Sequence, residues 1–312
     1  MDPIVSIICN TYNQEAYIEK TLKGFLSQKT SYSFEILVCD DASTDDTPLI
    51  LREYEKKYPS IIHCYYHEEN LYSKGINTFY PLVEKACGKY IAVCEGDDYW
   101  IDTNKLEEQV KYMEAHDDCS FCFTNAYLQY GEKIKRLQVP WDRTVTYDKN
   151  KEDYTIGELA NLGFIPTASF LYRNGYPYPE MPDRAYRGDL YLKLSMAYYG
   201  YAHFINKPMV VYRRAVENSL TAQWANNDKL HISQLKAMIV TYKTFDKMSD
   251  SRYKKEFDLA VAKLRFTICF YNKDAKMMRR LVKSGGFKKL KAGNIYCKGS
   301  YMIKTVLCLI KG

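Results

Sequence analysis

Residues 90–100 read YIAVCEGDDYW, an apolar run that is followed at once by three carboxylates within four residues. Like charges this close together are unfavourable unless a cation or a hydrogen-bond donor shares them. Gly96 lets the backbone turn and approach a ligand closely. Carboxylate oxygens at the end of a buried strand suit Mg²⁺ or Mn²⁺ that holds a phosphate. The alternative interpretation is an acidic turn that caps the following helix.

A second acidic cluster, DDASTDDT at residues 40–47, also follows an apolar run. A helix start signal at its end explains Asp45 and Asp46 as capping residues. That signal does not explain Asp40 and Asp41. These two residues lie at the carboxyl end of a predicted strand, where open α/β sheets bind ligands. We therefore expect the two acidic clusters to lie at one shared edge of the sheet.

Strands alternate with helices through the first hundred residues. Apolar runs predict four strands, at residues 4–9, 35–39, 61–66 and 90–94. This alternation predicts an α/β fold with a mixed, mostly parallel central sheet flanked by helices. The sequence has neither GxGxxG after the first strand nor a GxxxxGK[ST] loop, so phosphate would have to be held by metal and carboxylates. Beyond about residue 226 the pattern predicts helices.

Composition is that of an ordinary globular protein. The chain has 312 residues, of which 46% are hydrophobic and 26% charged. No basic segment followed by an apolar one opens the sequence, and no apolar run of about 18 residues occurs, so neither export nor a membrane span is expected. We therefore expect a cytoplasmic protein whose ten cysteines are mostly reduced.

Positive charge is concentrated at the C-terminus. Residues 273–312 contain eleven Lys and Arg against one acid, which leaves residues 1–272 with a net negative charge. Together with the apolar stretch 300–310, this segment suits the inner face of an anionic membrane. A solvated helical tail that docks on the domain is an equal alternative. Nucleic acid is not expected as a partner, because no recognition motif accompanies the charge.

In their order and spacing these motifs resemble glycosyltransferase family 2, an inverting family with the GT-A fold, over about residues 3–220. Within that family the sequence is most similar to bacterial enzymes of capsule, lipopolysaccharide or exopolysaccharide synthesis. The matching segments are Val5–Ile8 with Thr11–Asn13, the DDASTD sequence at 40–45, EGDD at 95–98, Gly188-Asp189, and VYR at 211–213. One departure is Glu95, which stands where the family usually has Asp.

The resemblance implies a GT-A, Rossmann-like domain over residues 1–225. Its nucleotide-binding half would span residues 1–100 and its acceptor half residues 101–225. A helical, basic C-terminal region would follow at residues 226–312.

It also implies transfer of a sugar, with inversion, from a nucleotide-sugar donor, a UDP-sugar above all, to a hydroxyl of a glycan or lipid-linked glycan. Asp189 would be the catalytic base, with a helix N-cap as the alternative. Asp97 and Asp98 would hold Mn²⁺ or Mg²⁺. The residues expected to bind the nucleotide-sugar are Asn10, Thr11, Tyr12, Asp41, Lys74, Glu95, Asp97 and Arg213. The alternative for Lys74 is that it is an exposed loop lysine. The alternative for Arg213 is that it lies at a solvated strand end.

Three other functions are alternatives to a non-processive glycosyltransferase. A sugar nucleotidyltransferase needs a glycine-rich basic loop after the first strand, and residues 10–14 (NTYNQ) are not one. A non-catalytic nucleotide-sugar-binding protein would not need the four carboxylates Asp41, Asp97, Asp98 and Asp189. A processive synthase would need membrane helices and a QxxRW sequence. Tyr99 and Trp100 are candidates for stacking on a sugar, with a position in the core as the alternative.

Overall fold

A computed structural model describes residues 2–137, 150–214, 227–274, 276–278 and 280. In these residues the strands are β1 (Val5–Thr11), β2 (Phe34–Asp40), β3 (Ile62–Tyr66), β4 (Tyr90–Val93), β5 (Tyr99–Trp100), β6 (Cys119–Tyr130), β7 (Lys133–Arg136), β8 (Asp153–Tyr154), β9 (Leu171–Arg173) and β10 (Tyr201–Arg214). The α-helices are α1 (Ile18–Leu26), α2 (Thr47–Lys57), α3 (Phe79–Val83), α4 (Lys105–Ala115), α5 (Ile156–Leu159), α6 (Asp189–Tyr198), α7 (Asp228–Met248) and α8 (Lys254–Tyr271). Short 3-10 helices lie at Tyr72–Lys74 and Thr167–Ser169.

The chain forms two compact units, and both are assembled from separate stretches of sequence. The first unit comprises residues 1–137, 165–177 and 199–216. The second comprises the described residues within 138–164, 178–198 and 217–312.

The first unit contains a mixed sheet whose strands lie in the order β3-β2-β1-β4-β9-β6-β10-β5, with β7 paired to β6. The pairs among β1, β2, β3 and β4 are parallel, as is the long pair of β6 with β10. Antiparallel pairs involve the short strands β5, β7 and β9. Most paired residues therefore belong to parallel pairs, and the predicted mixed, mostly parallel sheet is confirmed.

Burial explains why these strands and helices form. β1, β2 and β4 are buried along most of their length, as expected for parallel strands that are covered on both faces. In α1, Ile18, Leu22 and Phe25 recur at helical spacing and have no exposed surface. The parallel strands end at one edge of the sheet, so the loops that follow β1, β2 and β4 meet there.

In the second unit the helices α5 to α8 pack together. Thr155 and Glu158 form a capping box at the start of α5. The Tyr242 hydroxyl of α7 donates to the Ala160 carbonyl oxygen at 3.0 Å, and the Asn161 amide donates to the Glu256 carbonyl oxygen of α8 at 2.9 Å. Within the described residues, no helix is long and apolar enough to cross a membrane.

The predicted boundary after residue 225 can be tested by truncation. A chain that ends at Ala225 lacks α7 and α8, whose buried Phe245 and Phe257 each contribute roughly 1.5–3 kcal/mol of hydrophobic burial. We expect residues 150–198 of this fragment to be cleaved by a protease at least about tenfold faster than in the full chain. The matched control ends at Asp274 and retains both helices. Equal protection of both fragments would show that residues 226–312 form a separate domain.

Candidate active site

Both acidic clusters are attached to the carboxyl end of β1. The backbone N–H of Asp41 donates to the carbonyl oxygen of Thr11 at 3.0 Å. The backbone N–H of Gly96 donates to the carbonyl oxygen of Asn10, also at 3.0 Å. Two clusters that are far apart in the sequence therefore meet at consecutive residues of one strand, as the sequence analysis predicted from the parallel strand ends.

The first cluster is hydrogen-bonded to the turn after β1. Asn13 adopts a left-handed conformation with φ of 51°, and its Oδ1 accepts from the Thr44 N–H at 2.8 Å. Asp45 Oδ2 accepts from the Glu15 N–H at 3.0 Å, while Oδ1 accepts from the Thr47 N–H at 3.0 Å. Asp45 thus has the structural role that was predicted for it at the start of α2.

Asp41 is 5% exposed, and both of its carboxylate oxygens are engaged. Oδ1 accepts from the Leu71 N–H at 2.9 Å and lies 3.0 Å from Nδ1 of His67. Oδ2 accepts from the Tyr72 N–H at 3.0 Å. Because an ionised carboxylate offers about four acceptor positions, one position on Oδ2 is still available. The sequence analysis missed His67, although it follows β3 directly and therefore lies at the same edge of the sheet.

In the second cluster the two aspartates differ. Asp98 is 1% exposed, and its Oδ1 accepts from the Arg213 N–H at 2.8 Å. Burial raises the pKa of Asp98 well above its usual value, and the charges of Asp97 and Glu95 act in the same direction. Asp97 and Glu95 are partly exposed. Burial also raises the pKa of Asp97, against which the charge of Arg213 acts.

The backbone at Gly96 lies so close to the side chains of Gln14 and Thr11 that little room is left for a Cβ atom. A Cβ at this position would lie 2.3 Å from Gln14 Oε1 and 2.9 Å from Thr11 Oγ1. The close approach predicted for this glycine is therefore to the end of β1.

Arg213 lies against the second acidic cluster. Its guanidinium donates to the carbonyl oxygen of Asp97 and lies 4.8 Å from the ring centre of Tyr17 and 4.4 Å from that of Tyr99. The Lys20 ammonium lies 3.8 Å from the centre of the same Tyr99 ring. Two cations therefore flank the acidic turn, and the sequence pattern gave no signal for Tyr17 or Lys20.

Trp100 lies in the hydrophobic core, which was the alternative interpretation of this residue. It is 3% exposed, packs edge-on against Phe25 with ring centres 4.8 Å apart, and donates its indole N–H to the Ala168 carbonyl oxygen at 2.9 Å. Tyr99 is also buried and donates its hydroxyl to Gln129 at 3.0 Å. The suggestion that these rings stack on a sugar is wrong, because neither ring is exposed.

The remaining residues that were predicted to bind the nucleotide-sugar have different environments. The Asn10 amide donates to Thr78 Oγ1 at 2.6 Å, and Thr11 Oγ1 donates to Gln14 Oε1 at 2.7 Å. Tyr12 is 42% exposed and follows them directly. Lys74 forms an exposed ion pair with Glu69 at 2.6 Å, which favours the interpretation of a surface loop lysine.

Asp189 belongs to the second unit, where it is the first residue of α6. Its Oδ1 accepts from the Tyr186 hydroxyl at 2.9 Å and from the Leu190 N–H at 2.8 Å. Lys193 follows one helical turn later, is 6% exposed, and donates to the Gly163 carbonyl oxygen at 3.1 Å. Burial lowers the pKa of Lys193 to about 8, while the Asp189 charge acts in the opposite direction. The Asp189 carboxylate is therefore half-buried and held in one orientation through Oδ1.

The donor set at the second cluster fits a divalent cation. Mg²⁺ is usually held by one or two carboxylates together with phosphate oxygens. Asp97 is partly exposed, and burial disfavours the ionised form of its carboxyl group. A bound cation would therefore balance the negative charge of this carboxylate. Asp98 fits less well, because it is only 1% exposed. Within the described residues no group of three or more His, Cys, Asp or Glu side chains could hold an ion alone, so substrate oxygens would have to complete the coordination.

Comparison with known families agrees with these motifs. A family model described as Glycosyl transferase family 2 matches residues 6–176, which include most of β1 and both acidic clusters. The chain belongs to glycosyl transferase family 2. The family that the sequence motifs indicated is therefore confirmed.

Similar proteins occur in several bacteria. An uncharacterized protein of Mycobacterium tuberculosis is 36% identical over 214 residues, which are 67% of this chain and 58% of that protein. This chain thus spans little more than half of that relative. TuaG of Bacillus subtilis, whose name proposes a glycosyltransferase of teichuronic acid biosynthesis, is 34% identical over 70% of this chain and 82% of its own length.

Solved structures show that the fold is GT-A, as predicted. TarS of S. aureus, residues 1–349 in complex with UDP-GlcNAc, has a TM-score of 0.62 at 15% identity and covers 98% of this chain and 88% of its own. The mannosyltransferase PcManGT of Pyrobaculum calidifontis, in complex with GDP-Man and Mn²⁺, has a TM-score of 0.55 at 16% identity and covers 99% and 79%. Structural neighbours therefore bind nucleotide-sugars, and one of them holds Mn²⁺.

Proposed function

We propose that the chain transfers a sugar, with inversion, from a UDP-sugar to an acceptor hydroxyl in the synthesis of a bacterial surface glycan, and that it depends on Mn²⁺ or Mg²⁺. The observation that carries this proposal is the attachment of both acidic clusters to Asn10 and Thr11 at the end of β1. Membership of glycosyl transferase family 2, the UDP-GlcNAc bound by TarS and the name of TuaG support it.

In this proposal Asp41 recognises the base. Its remaining acceptor position on Oδ2 would take the N3–H of uracil. Cytosine offers a lone pair at N3 instead of a donor, which a carboxylate repels. Asn10, Thr11 and Tyr12 would line the nucleoside, because they follow one another along the same strand end.

The second cluster would receive the diphosphate. Mn²⁺ or Mg²⁺ held by Asp97 would supply Lewis-acid charge for the departing diphosphate, with Asp98 as a further candidate ligand. Glu95 would contact the ribose. The Arg213 guanidinium, which Tyr17 and Tyr99 hold beside Asp97, would add positive charge there.

Asp189 would act on the acceptor. It takes the proton of the acceptor hydroxyl while the oxygen forms a bond to the anomeric carbon and the bond from that carbon to the diphosphate breaks. Attack opposite the leaving group inverts the anomeric centre. Oδ1 is held by Tyr186 and Leu190, which leaves Oδ2 for this proton.

We place the reaction in the cytoplasm at the inner face of the cell membrane, with a glycan or lipid-linked glycan as acceptor. The basic segment that would contact the membrane spans residues 273–312, of which residues 281–312 lie outside the described part of the chain. Co-sedimentation with anionic vesicles of the full chain and of a chain ending at Asn272 tests this placement, and equal binding would contradict it.

Nucleotide binding tests the donor assignment. We expect UDP with Mn²⁺ to stabilise the protein against heat, since a ligand at 100 times its Kd adds about 2.7 kcal/mol. CDP differs from UDP only in the base and serves as the control ligand. It should bind roughly 10-fold to 100-fold more weakly, because the Asp41 carboxylate would then face the N3 lone pair of cytosine. Equal binding of UDP and CDP would contradict the role of Asp41. Turnover is then measured by the release of UDP from a panel of UDP-sugars.

A further inference from the structure

The orientation of the Asp189 carboxylate is fixed through one of its oxygens. Oδ1 accepts both the Tyr186 hydroxyl at 2.9 Å and the Leu190 N–H at 2.8 Å. In the part of the chain that the structure describes, Oδ2 accepts no protein hydrogen bond. The Leu190 contact comes with the start of α6, whereas the Tyr186 contact requires a particular side chain in a particular place.

Tyr186 is itself held by helix α7. Its backbone N–H donates to Thr241 Oγ1 at 2.9 Å and lies 3.2 Å from the Ala237 carbonyl oxygen. The Thr241 hydroxyl also lies 3.0 Å from the Tyr186 carbonyl oxygen and 3.2 Å from the Ala237 carbonyl oxygen, and it can donate to either. Thr241 has no exposed surface, so its hydroxyl has no access to water as a substitute partner.

Gly188 leaves the space that the Tyr186 ring occupies. A Cβ at residue 188 would lie 2.4 Å from the Tyr186 hydroxyl oxygen and 2.5 Å from the ring carbon that bears it. These distances are shorter than any real Cβ contact, so any other residue at position 188 would displace the hydroxyl from Asp189. The glycine of the Gly188-Asp189 motif therefore has a steric reason.

We propose that Tyr186 is a positioning residue that orients Asp189 for proton abstraction, and that Thr241 of α7 holds Tyr186 in place. The inference rests on the proposed function, in which Asp189 is the base. It connects a helix beyond residue 226 to the chemistry of residue 189. Precise orientation matters because a misplacement of about 1 Å at a reacting group can cost on the order of 10²-fold in rate.

The first test is Tyr186→Phe, which removes the hydroxyl donor and retains the ring. We expect kcat to fall about 10-fold to 100-fold, with the KM for the donor and the melting temperature unchanged. The matched control is Tyr198→Phe, which removes a hydroxyl that donates to the Met248 carbonyl oxygen at the end of α7 and should leave kcat unchanged. A purely structural role would lower the melting temperature without this separation of kcat from KM.

The second test is independent of the first. Thr241→Val keeps the shape of the side chain and removes its hydroxyl, whereas Thr241→Ser keeps the hydroxyl. We expect kcat to fall in the valine variant and to be restored toward the parent value in the serine variant. Equal kcat in the two variants, or a parent-like kcat in Tyr186→Phe, overturns the inference. If Asp189→Asn is inactive in the same assay, the role of Asp189 as the base survives that result. If Asp189→Asn is fully active, that role fails, whereas absence of glycosyl transfer by the parent chain would overturn the proposed function.

Discussion

Replacing Asp189 with asparagine should lower the kcat for glycosyl transfer by about 10²–10⁴-fold, the usual contribution of a positioned general base. Asparagine has nearly the same size, and its Oδ1 can still accept from Tyr186 and Leu190, so the start of α6 should remain intact. What is lost is the ability to take a proton. We therefore expect the Kd for UDP and the melting temperature to stay at their parent values.

The matched control for this variant is Asp183→Asn. Asp183 is an exposed aspartate of the same unit, and its neutralisation changes the net charge equally. Steady-state release of UDP in the presence of acceptor measures both variants. If Asp189→Asn turns over as fast as Asp183→Asn, Asp189 is a helix-capping residue only, and the catalytic assignment is wrong.

Replacing Asp97 with asparagine should abolish the effect of Mn²⁺ on donor binding. An amide oxygen is a weaker ligand than a carboxylate, and the loss of one negative charge leaves the cation and the diphosphate less well held. We expect the Kd for UDP in Mn²⁺ to rise on the order of 10²-fold, toward the value measured in a chelator. Isothermal titration with and without Mn²⁺ gives both values for the same protein.

Asp98→Asn is the informative comparison for Asp97. Its Oδ1 could still accept from the Arg213 N–H, so the turn should keep its shape. We expect Mn²⁺-dependent binding to weaken less than about tenfold. A loss as large as that of Asp97→Asn would make Asp98 the second metal ligand that the sequence motif implies. Retention of the Mn²⁺ effect in Asp97→Asn would remove the proposed metal site.

Much of the first unit could be predicted from local sequence. Apolar runs located β1, β2, β3 and β4, and the rule that parallel strands end at one edge placed Asp41 and Asp97 near each other. The contact of Arg213 with Asp97 was not predicted. It depends on the pairing of β10 with β5, in which Val211 is opposite Tyr99, and no local pattern specifies a pairing between strands so far apart.

Side-chain partners were harder to predict than strands. His67 beside Asp41 could have been suggested by its position after β3, but Thr241 beside Tyr186 could not, because helical periodicity says nothing about which helix packs on which loop. Trp100 shows the opposite error. An aromatic residue next to an acidic motif suggested a sugar contact, whereas its indole packs against Phe25 of α1 and donates to the Ala168 carbonyl oxygen.

The position of β10 within the sheet has a consequence for biosynthesis. This strand, formed by residues 201–214, lies between β6 and β5, which are made about eighty to a hundred residues earlier. Until β10 has left the ribosome, the backbone N–H and C=O groups along one edge of β6 therefore remain unpaired and can pair with other chains. Long-range closure of this kind slows folding. Fragments that stop before residue 201 should accordingly aggregate when expressed, however completely they include both acidic motifs.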